Sequence, residues 1–263
     1  MNFIEQKYSS FKRYLMWHFF AKKLGLIHVV EYPKSGGTWM TQLLADYLDM
    51  YYPRNVIPKF KKAVIHGHYI YSPAFNKTIL VIRDGRDVAV SYYHHLLLGN
   101  DRTPQSIINH YRSKVRFTDY ENVKENLPEF ITFLNEKYTK RINRHRWSDF
   151  IETYLDKEDV HIVRYEDMLH NGEEELKKAL VFLGIDAIDD DKVSSAVNKF
   201  SFKNQAKRKQ GEENKKSFLR KGISGDWKNY FTKESGLIFN KYNAEAMKKL
   251  GYIDSNDWIN ELN

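Results

Sequence analysis

Lys34, Ser35, Gly36, Gly37 and Thr38 stand together in the string Tyr32-Pro33-Lys34-Ser35-Gly36-Gly37-Thr38-Trp39. A lysine, two hydroxyls and two glycines in one loop have the chemistry of a phosphate cradle. The glycines let the backbone turn tightly so that its amides point at an anion, and Lys34 supplies a mobile charge. A helix opening at Thr38 adds the positive end of its dipole, and Trp39 offers a ring on which an aromatic base can stack. The nucleotide-triphosphatase form of this loop ends in Gly-Lys-Ser/Thr, and that ending is missing: Lys34 precedes the glycines.

Two further segments carry anion-binding residue types. Arg83-Asp84-Gly85-Arg86-Asp87-Val88-Ala89-Val90-Ser91-Tyr92-Tyr93-His94 places an arginine after an apolar run and a serine eight residues on. Arg83 and Asp87 read equally as a local ion pair capping a helix. Phe218-Leu219-Arg220-Lys221-Gly222-Ile223-Ser224-Gly225-Asp226-Trp227-Lys228-Asn229 puts two basic residues before a glycine that can expose backbone amides, which in isolation also describes a solvated basic turn.

The elements that must position these residues alternate between strand and helix. Ile27 to Tyr32 is a β-favouring run, and Thr38 to Met50 carries Trp39, Leu43, Leu44, Tyr47 and Leu48 at helical spacing. Ala63 to His68, Thr78 to Ile82 and Val160 to Tyr165 predict three more strands, the second an unbroken apolar run of the kind buried in parallel sheets. Helices are expected over Asp87 to Leu98 and Asn171 to Leu183, with Pro128 starting one in the helical stretch between Pro104 and Leu155. Gln205 to Lys216 reads as an exposed loop. This alternation predicts an α/β fold in one domain, 1–263, with a central, mostly parallel sheet covered by helices on both faces and a P-loop-like phosphate-binding loop. Ligands of such sheets lie at the carboxyl ends of the strands, where Lys34 and Arg83 both fall.

Composition bounds the class. The 263 residues suffice for one large domain, and the absence of cysteine removes disulfides, thiolate metal sites and a thiol nucleophile. It also fits a reducing, cytoplasmic setting. Forty-two basic against 34 acidic residues leave a net charge of +8, which points to anionic partners of small size as readily as to nucleic acid. No apolar stretch approaches the ~20 residues that span a bilayer.

Taken in order, the three segments resemble the signature of sulfotransferases that use 3′-phosphoadenosine 5′-phosphosulfate, the cytosolic type and its bacterial relatives. The resemblance brackets Tyr32 to Thr232. It implies that Lys34, Ser35, Gly36, Gly37 and Thr38 hold the 5′-phosphosulfate, with Lys34 bonding the bridging oxygen that leaves. It implies Arg83, Ser91, Arg220, Lys221 and Gly222 for the 3′-phosphate, and Trp39, Tyr165 and Phe202 for adenine, although core packing would explain Tyr165 and Phe202 as well. The catalytic base falls on Ile65-His66-Gly67-His68-Tyr69, where the motif match favours His68 over His66. No metal is implied, and the product nucleotide is 3′-phosphoadenosine 5′-phosphate (PAP).

The chain departs from that family pattern in three places. Gly37 replaces a frequent Thr, His66 replaces a Lys whose charge a protonated imidazole would partly supply, and the short dimerisation motif near Lys228 to Leu237 is altered, so the oligomeric state stays open. The expected reaction is in-line transfer of a sulfuryl group to a hydroxyl or amine of a small acceptor, with no nucleic acid and no integral membrane segment. Acceptor choice rests on loops that the fold does not fix. Two other readings remain open at this point: a nucleotide or small-molecule kinase, and a non-catalytic polyanion binder using Arg141, Arg144, Arg146 and Lys207 to Lys209. The N-terminal stretch, with Phe11, Tyr14, Leu15, Trp17, Phe19 and Phe20 among lysines, is expected to pack on the domain as an amphipathic helix, a membrane surface being the alternative.

Overall fold

The computed structural model describes residues 3–140 and 144–262, so Arg141 lies outside the described residues. In chain order the helices and strands are α1 (Phe3–Phe19), α2 (Ala21–Leu24), β1 (Ile27–Glu31), α3 (Gly37–Tyr47), β2 (Val64–Gly67), β3 (Thr78–Ile82), α4 (Gly85–Tyr93), α5 (Gln105–Arg112), α6 (Val123–Glu136), α7 (Trp147–Glu152), β4 (Val160–Arg164), α8 (Tyr165–Phe182), α9 (Asp190–Lys199), α10 (Phe202–Ala206) and α11 (Lys233–Lys249). The chain divides into two compact units, Met1–Ile82 with Thr153–Gln205, and Arg83–Glu152 with Ala206–Asn263.

The first unit holds the sheet. Its four strands run parallel in the order β2-β1-β3-β4, in register Ile27 to Val64, His28 to Thr78 and Thr78 to Val160. The period-2 alternation of side chains decides what each strand offers to each face. Val29, Val64, Ile79, Val81 and Val163 point to one face and pack with Met40, Leu43 and Leu44 of α3, Leu176 and Leu180 of α8 and Val193 of α9. His28 points to the other face, where Trp17 of α1 and Phe75 cover it with ring centroids 4.6 and 5.1 Å away. Helices thus cover both faces, and each fully buried aliphatic side chain contributes roughly 1.5–3 kcal/mol of transfer free energy. By the same alternation Glu31 shares the face of Val29, and His66 that of Val64, so both lie on the α3 side.

All four strands end toward residues singled out in the sequence. β1 leads into the Lys34 loop, β2 carries His66 and leads into His68, β3 leads into Arg83, and β4 into Tyr165. Tyr165 is the first residue of α8, so that helix starts six residues before the expected Asn171. Asn171 nevertheless breaks it, with φ −146° and ψ 74°, and the side chain of Asn171 caps the second part by accepting from the Glu174 amide at 3.2 Å.

The second unit is helical. Asp84 caps α4 by accepting from the Arg86 amide at 2.9 Å, and α4 passes into a π-helical turn over His94–Leu98. Pro128 does not start a helix: Asn122 caps α6 by accepting from the Glu125 amide, and Pro128 sits inside the element. The cap competes successfully because Asn122 satisfies an orphan amide of the first turn, while a proline this close to the start forfeits only one intrahelical bond. Thr232 and Ser235 form a reciprocal capping box on α11. The expected loop after Gln205 begins only once α10 has ended at Ala206.

Candidate active site

In the first unit the phosphate-type loop is shaped by backbone conformations that few residues tolerate. Lys34 has φ 81° and Gly36 has φ 101°. A non-glycine residue in that region costs about 1–3 kcal/mol, a strain that concentrates at functional positions. Gly36 is required twice over, because a Cβ there would sit 2.7 Å from Cδ2 of Tyr165. The Tyr165 ring therefore lies against the loop, with the Trp39 ring 6.2 Å from it in an edge-to-face arrangement. Two of the three residues matched to adenine, Trp39 and Tyr165, are brought together with the cradle. Phe202 opens α10 and is half-buried.

The hydroxyls of the loop differ. The Thr38 hydroxyl hydrogen-bonds the Tyr52 phenol, whose pKa burial pushes up. Ser35 is fully buried, and its Oγ has no hydrogen-bond partner among the described residues. A buried hydroxyl without a partner costs on the order of 1–3 kcal/mol, and a phosphate oxygen would relieve it. The cradle, its strained Lys34 and this hydroxyl fit a phosphorylated ligand.

Glu31 is the residue that motif reading overlooked. Its buried carboxylate accepts from the Gly37 amide at 2.6 Å through Oε2 and from His66 Nε2 at 3.0 Å through Oε1. Burial would raise the pKa of Glu31, but the His66 hydrogen bond and charge, the charge of His68 and the Gly37 amide outweigh it and hold the carboxyl at about 2. The available signal was a lone acidic residue ending a strand of Ile27, His28, Val29 and Val30. The Nε2 proton of His66 points at Glu31, because an ionised carboxylate only accepts. Gly37 is explained by the same contacts. A Cβ on it would lie 3.0 Å from Cγ and Cδ of Glu31 and from Nε2 of His66, so a threonine there would crowd both residues.

His68 is exposed, and its Nδ1 lies 3.0 Å from the Glu31 carbonyl oxygen. A carbonyl accepts only, so Nδ1 carries the proton, and in the neutral ring the lone pair is on Nε2. Glu31 thus fixes both histidines, one with its side chain and one with its main chain. The ligating atoms of Glu31, His66 and His68 fall within 4.8 Å of one another, close enough for an ion, yet Glu31 already hydrogen-bonds both histidines.

The second unit gathers the other predicted anion-binding residues. Arg83 donates to the Ile223 carbonyl at 3.0 Å and lies 3.6 Å from Asp87. Asp87 is not the cap of α4; its carboxylate accepts from the amides of Gly225 at 2.7 Å and Trp227 at 2.9 Å, which fastens the Arg220 segment to the Arg83 helix. Burial raises the pKa of Asp87, opposed by Arg83. Arg220 and Lys221 bind Asp226 at 2.5 and 2.8 Å, and Arg220 also binds Glu213 at 2.5 Å. Gly222, at φ 65°, follows them, and Ser91 is half-buried one turn beyond Asp87 on α4.

Three of the basic residues of the polyanion reading, Arg208, Arg146 and Arg144, have structural partners. Arg208 donates to the carbonyls of Leu219, Arg220 and Glu212, Arg146 to that of Asn135 at 3.0 Å, and Arg144 lies over the Tyr138 ring.

Comparison with known proteins agrees with this fold. The curated relatives include sulfotransferase 1E1 of Cavia porcellus, 26% identical over 84% of this chain and 82% of that protein. Sulfotransferase 1B1 of Mus musculus is likewise 26% identical, over 81% of this chain and 79% of that one. Among solved structures, mouse sulfotransferase SULT7A1 complexed with PAP has the same fold, with a TM-score of 0.64 and 22% identity over 97% of this chain and 94% of that chain. Retinol dehydratase in complex with retinol and PAP gives 0.56 at 16% identity, over 86% and 82%. The family described as the sulfotransferase domain matches residues 74–251, more than half of the chain. This chain belongs to the sulfotransferase family.

Proposed function

We propose that the chain, as one sulfotransferase domain over 1–263, moves a sulfuryl group from 3′-phosphoadenosine 5′-phosphosulfate to a hydroxyl or amine of a small acceptor, and releases PAP. The donor supplies the activated sulfuryl group and a phosphate leaving group. Lys34, Ser35, Gly36, Gly37 and Thr38 bind its 5′ end, Trp39, Tyr165 and Phe202 its adenine, and Arg83, Ser91, Arg220, Lys221 and Gly222 its 3′-phosphate. Lys34 offsets negative charge that grows on the departing oxygen, and transfer is in line, so the site's work is alignment and charge stabilisation.

His68 takes the acceptor proton. The observation that carries this assignment is the 3.0 Å contact of its Nδ1 with the Glu31 carbonyl, which leaves Nε2 as the basic atom of an exposed ring. His66 donates its Nε2 proton to Glu31 and serves to position the loop. A neutral imidazole is a competent general base. A kinase reading lacks the Gly-Lys-Ser/Thr loop, and the family assignment points away from it. A cysteine-free chain suits the cytoplasm.

The test is sulfuryl transfer from labelled donor to pooled hydroxyl compounds, with the product read by mass. His68→Ala should lower turnover by about 10²-fold or more while PAP affinity changes little. Turnover that survives in His68→Ala and disappears in His66→Ala would move the base to His66. Arg83→Ala should lose the preference for PAP over adenosine 5′-phosphate; equal affinity of the unaltered protein for those two nucleotides would count against the donor assignment.

A further inference from the structure

Helix α1 carries an apolar stripe that faces solvent. Ile4, Tyr8, Phe11, Leu15 and Phe19 recur at intervals of four, three, four and four, which places them on one side of a helix with 3.6 residues per turn. Ile4, Tyr8, Phe11 and Phe19 are 53 to 77% exposed, whereas Ser9, Met16 and Trp17, on other sides of the helix, are buried. The helix is therefore amphipathic as its sequence suggests, but its most regular apolar face is turned outward.

The buried side fixes α1 firmly. Trp17 packs on His28, Tyr69 and Phe75, and Arg13 donates to the carbonyls of Pro53, Arg54 and Val56. The outward stripe continues onto neighbouring chain: Phe60 lies 5.4 Å from the Phe20 ring, and the Lys12 ammonium stands 5.3 Å over Phe60 and 5.9 Å over Tyr8. Val56, Phe20 and Phe60 are themselves exposed. A contiguous surface of large apolar side chains on this scale marks an interaction site.

Charge identifies the occupant. Residues 4–24 contain Lys7, Lys12, Arg13, Lys22 and Lys23, and residues 54–62 contain Arg54, Lys59, Lys61 and Lys62, against Glu5 as the one acidic residue in both stretches. Basic residues rimming an aromatic helical face suit an anionic bilayer surface, where the rings enter the headgroup boundary and the lysines meet lipid phosphates. A second copy of the chain fits poorly, since a two-fold contact would press this basic rim against itself. No helix among the described residues is long and apolar enough to cross a membrane, so contact with the bilayer would be peripheral.

We infer that the outward face of α1, with Phe20 and Phe60, docks the protein on anionic lipid bilayers. The inference is independent of the reaction proposed above. In co-sedimentation, the full chain should bind vesicles of phosphatidylcholine with about 30 mol% phosphatidylserine, bind pure phosphatidylcholine far less, and leave the anionic vesicles in roughly 0.5 M salt. Phe11→Ser with Phe19→Ser should lose at least about tenfold in vesicle affinity, with circular dichroism and turnover of a soluble acceptor unchanged. Lys22→Glu with Lys23→Glu, which leaves the apolar stripe intact, should abolish the preference for phosphatidylserine. The inference is overturned if the unaltered protein stays in the supernatant with phosphatidylserine vesicles. It is equally overturned if both double variants bind like the parent, or if sedimentation velocity shows a dimer that the Phe11 and Phe19 changes dissolve.

Discussion

Glu31 does more at the residue scale than either histidine. One carboxylate holds the first amide of α3 and the His66 ring, while its own carbonyl orients His68. Removing the charge but not the shape, as in Glu31→Gln, keeps an acceptor but lets the amide flip, so the Gly37 and His66 donors can no longer both be satisfied by ionised oxygens. The expected result is a loss of roughly 1–3 kcal/mol in unfolding free energy and a fall in turnover, read by denaturant titration and by labelled transfer. Gly37→Thr tests the same weld from the opposite side. Its side chain would begin 3.0 Å from Glu31 and His66, so it should destabilise by about 1–3 kcal/mol and weaken PAP binding. Glu31→Ala should relieve that crowding. If Gly37→Thr alone is as stable as the parent, the explanation of why this chain carries glycine there fails.

At the scale of elements, Asp87 joins α4 to the segment that carries Arg220, Lys221 and Gly222, and this junction exists only in three dimensions. Asp87→Ala leaves the Gly225 and Trp227 amides without their acceptor, at about 1–3 kcal/mol each if they stay buried, and should loosen the segment enough to erase discrimination of the 3′-phosphate. Glu213 acts in the other direction. It is partly exposed and holds Arg220 at 2.5 Å, a guanidinium that the proposal gives to the phosphate, so Glu213→Gln should tighten PAP binding several-fold by calorimetry. Unchanged affinity would show that Glu213 does not compete. The strands, the loop after β1 and the arginine after β3 were legible in the sequence because each depends on local composition: an apolar run, then glycines or a basic residue. Asp87, Glu31 and the position of Pro128 were not legible, since their roles depend on partners up to 140 residues away or on which of two nearby signals starts a helix. The direction in which α1 turns its aromatic face was hidden for the same reason, because periodicity reveals two faces without saying which one meets the core.

Across the whole molecule, two histidines outside the proposed chemistry set a pH limit. His28, in the sheet, is buried against Trp17 and Phe75, and burial, with the charge of His18, lowers its pKa to about 3. His94, in the other unit, is held at about 3 by burial and by the cations Arg220, Lys215 and Lys221. Both remain neutral when folded but take up a proton near ~6.5 when unfolded. Above that pH neither costs anything. As pH falls from 6.5 toward 3 the unfolded chain binds protons that the folded chain refuses, and stability drops by about 1.4 kcal/mol per pH unit for each histidine. Glu31, ionised down to about 2, does not contribute to the slope until the pH passes below its unfolded value near ~4.5. The melting temperature should therefore fall by several degrees between pH 7.5 and pH 5, and His28→Phe, which keeps an aromatic ring against Phe75, should flatten about half of that decline. A melting temperature constant across this interval would mean that neither imidazole is as dry as its packing implies.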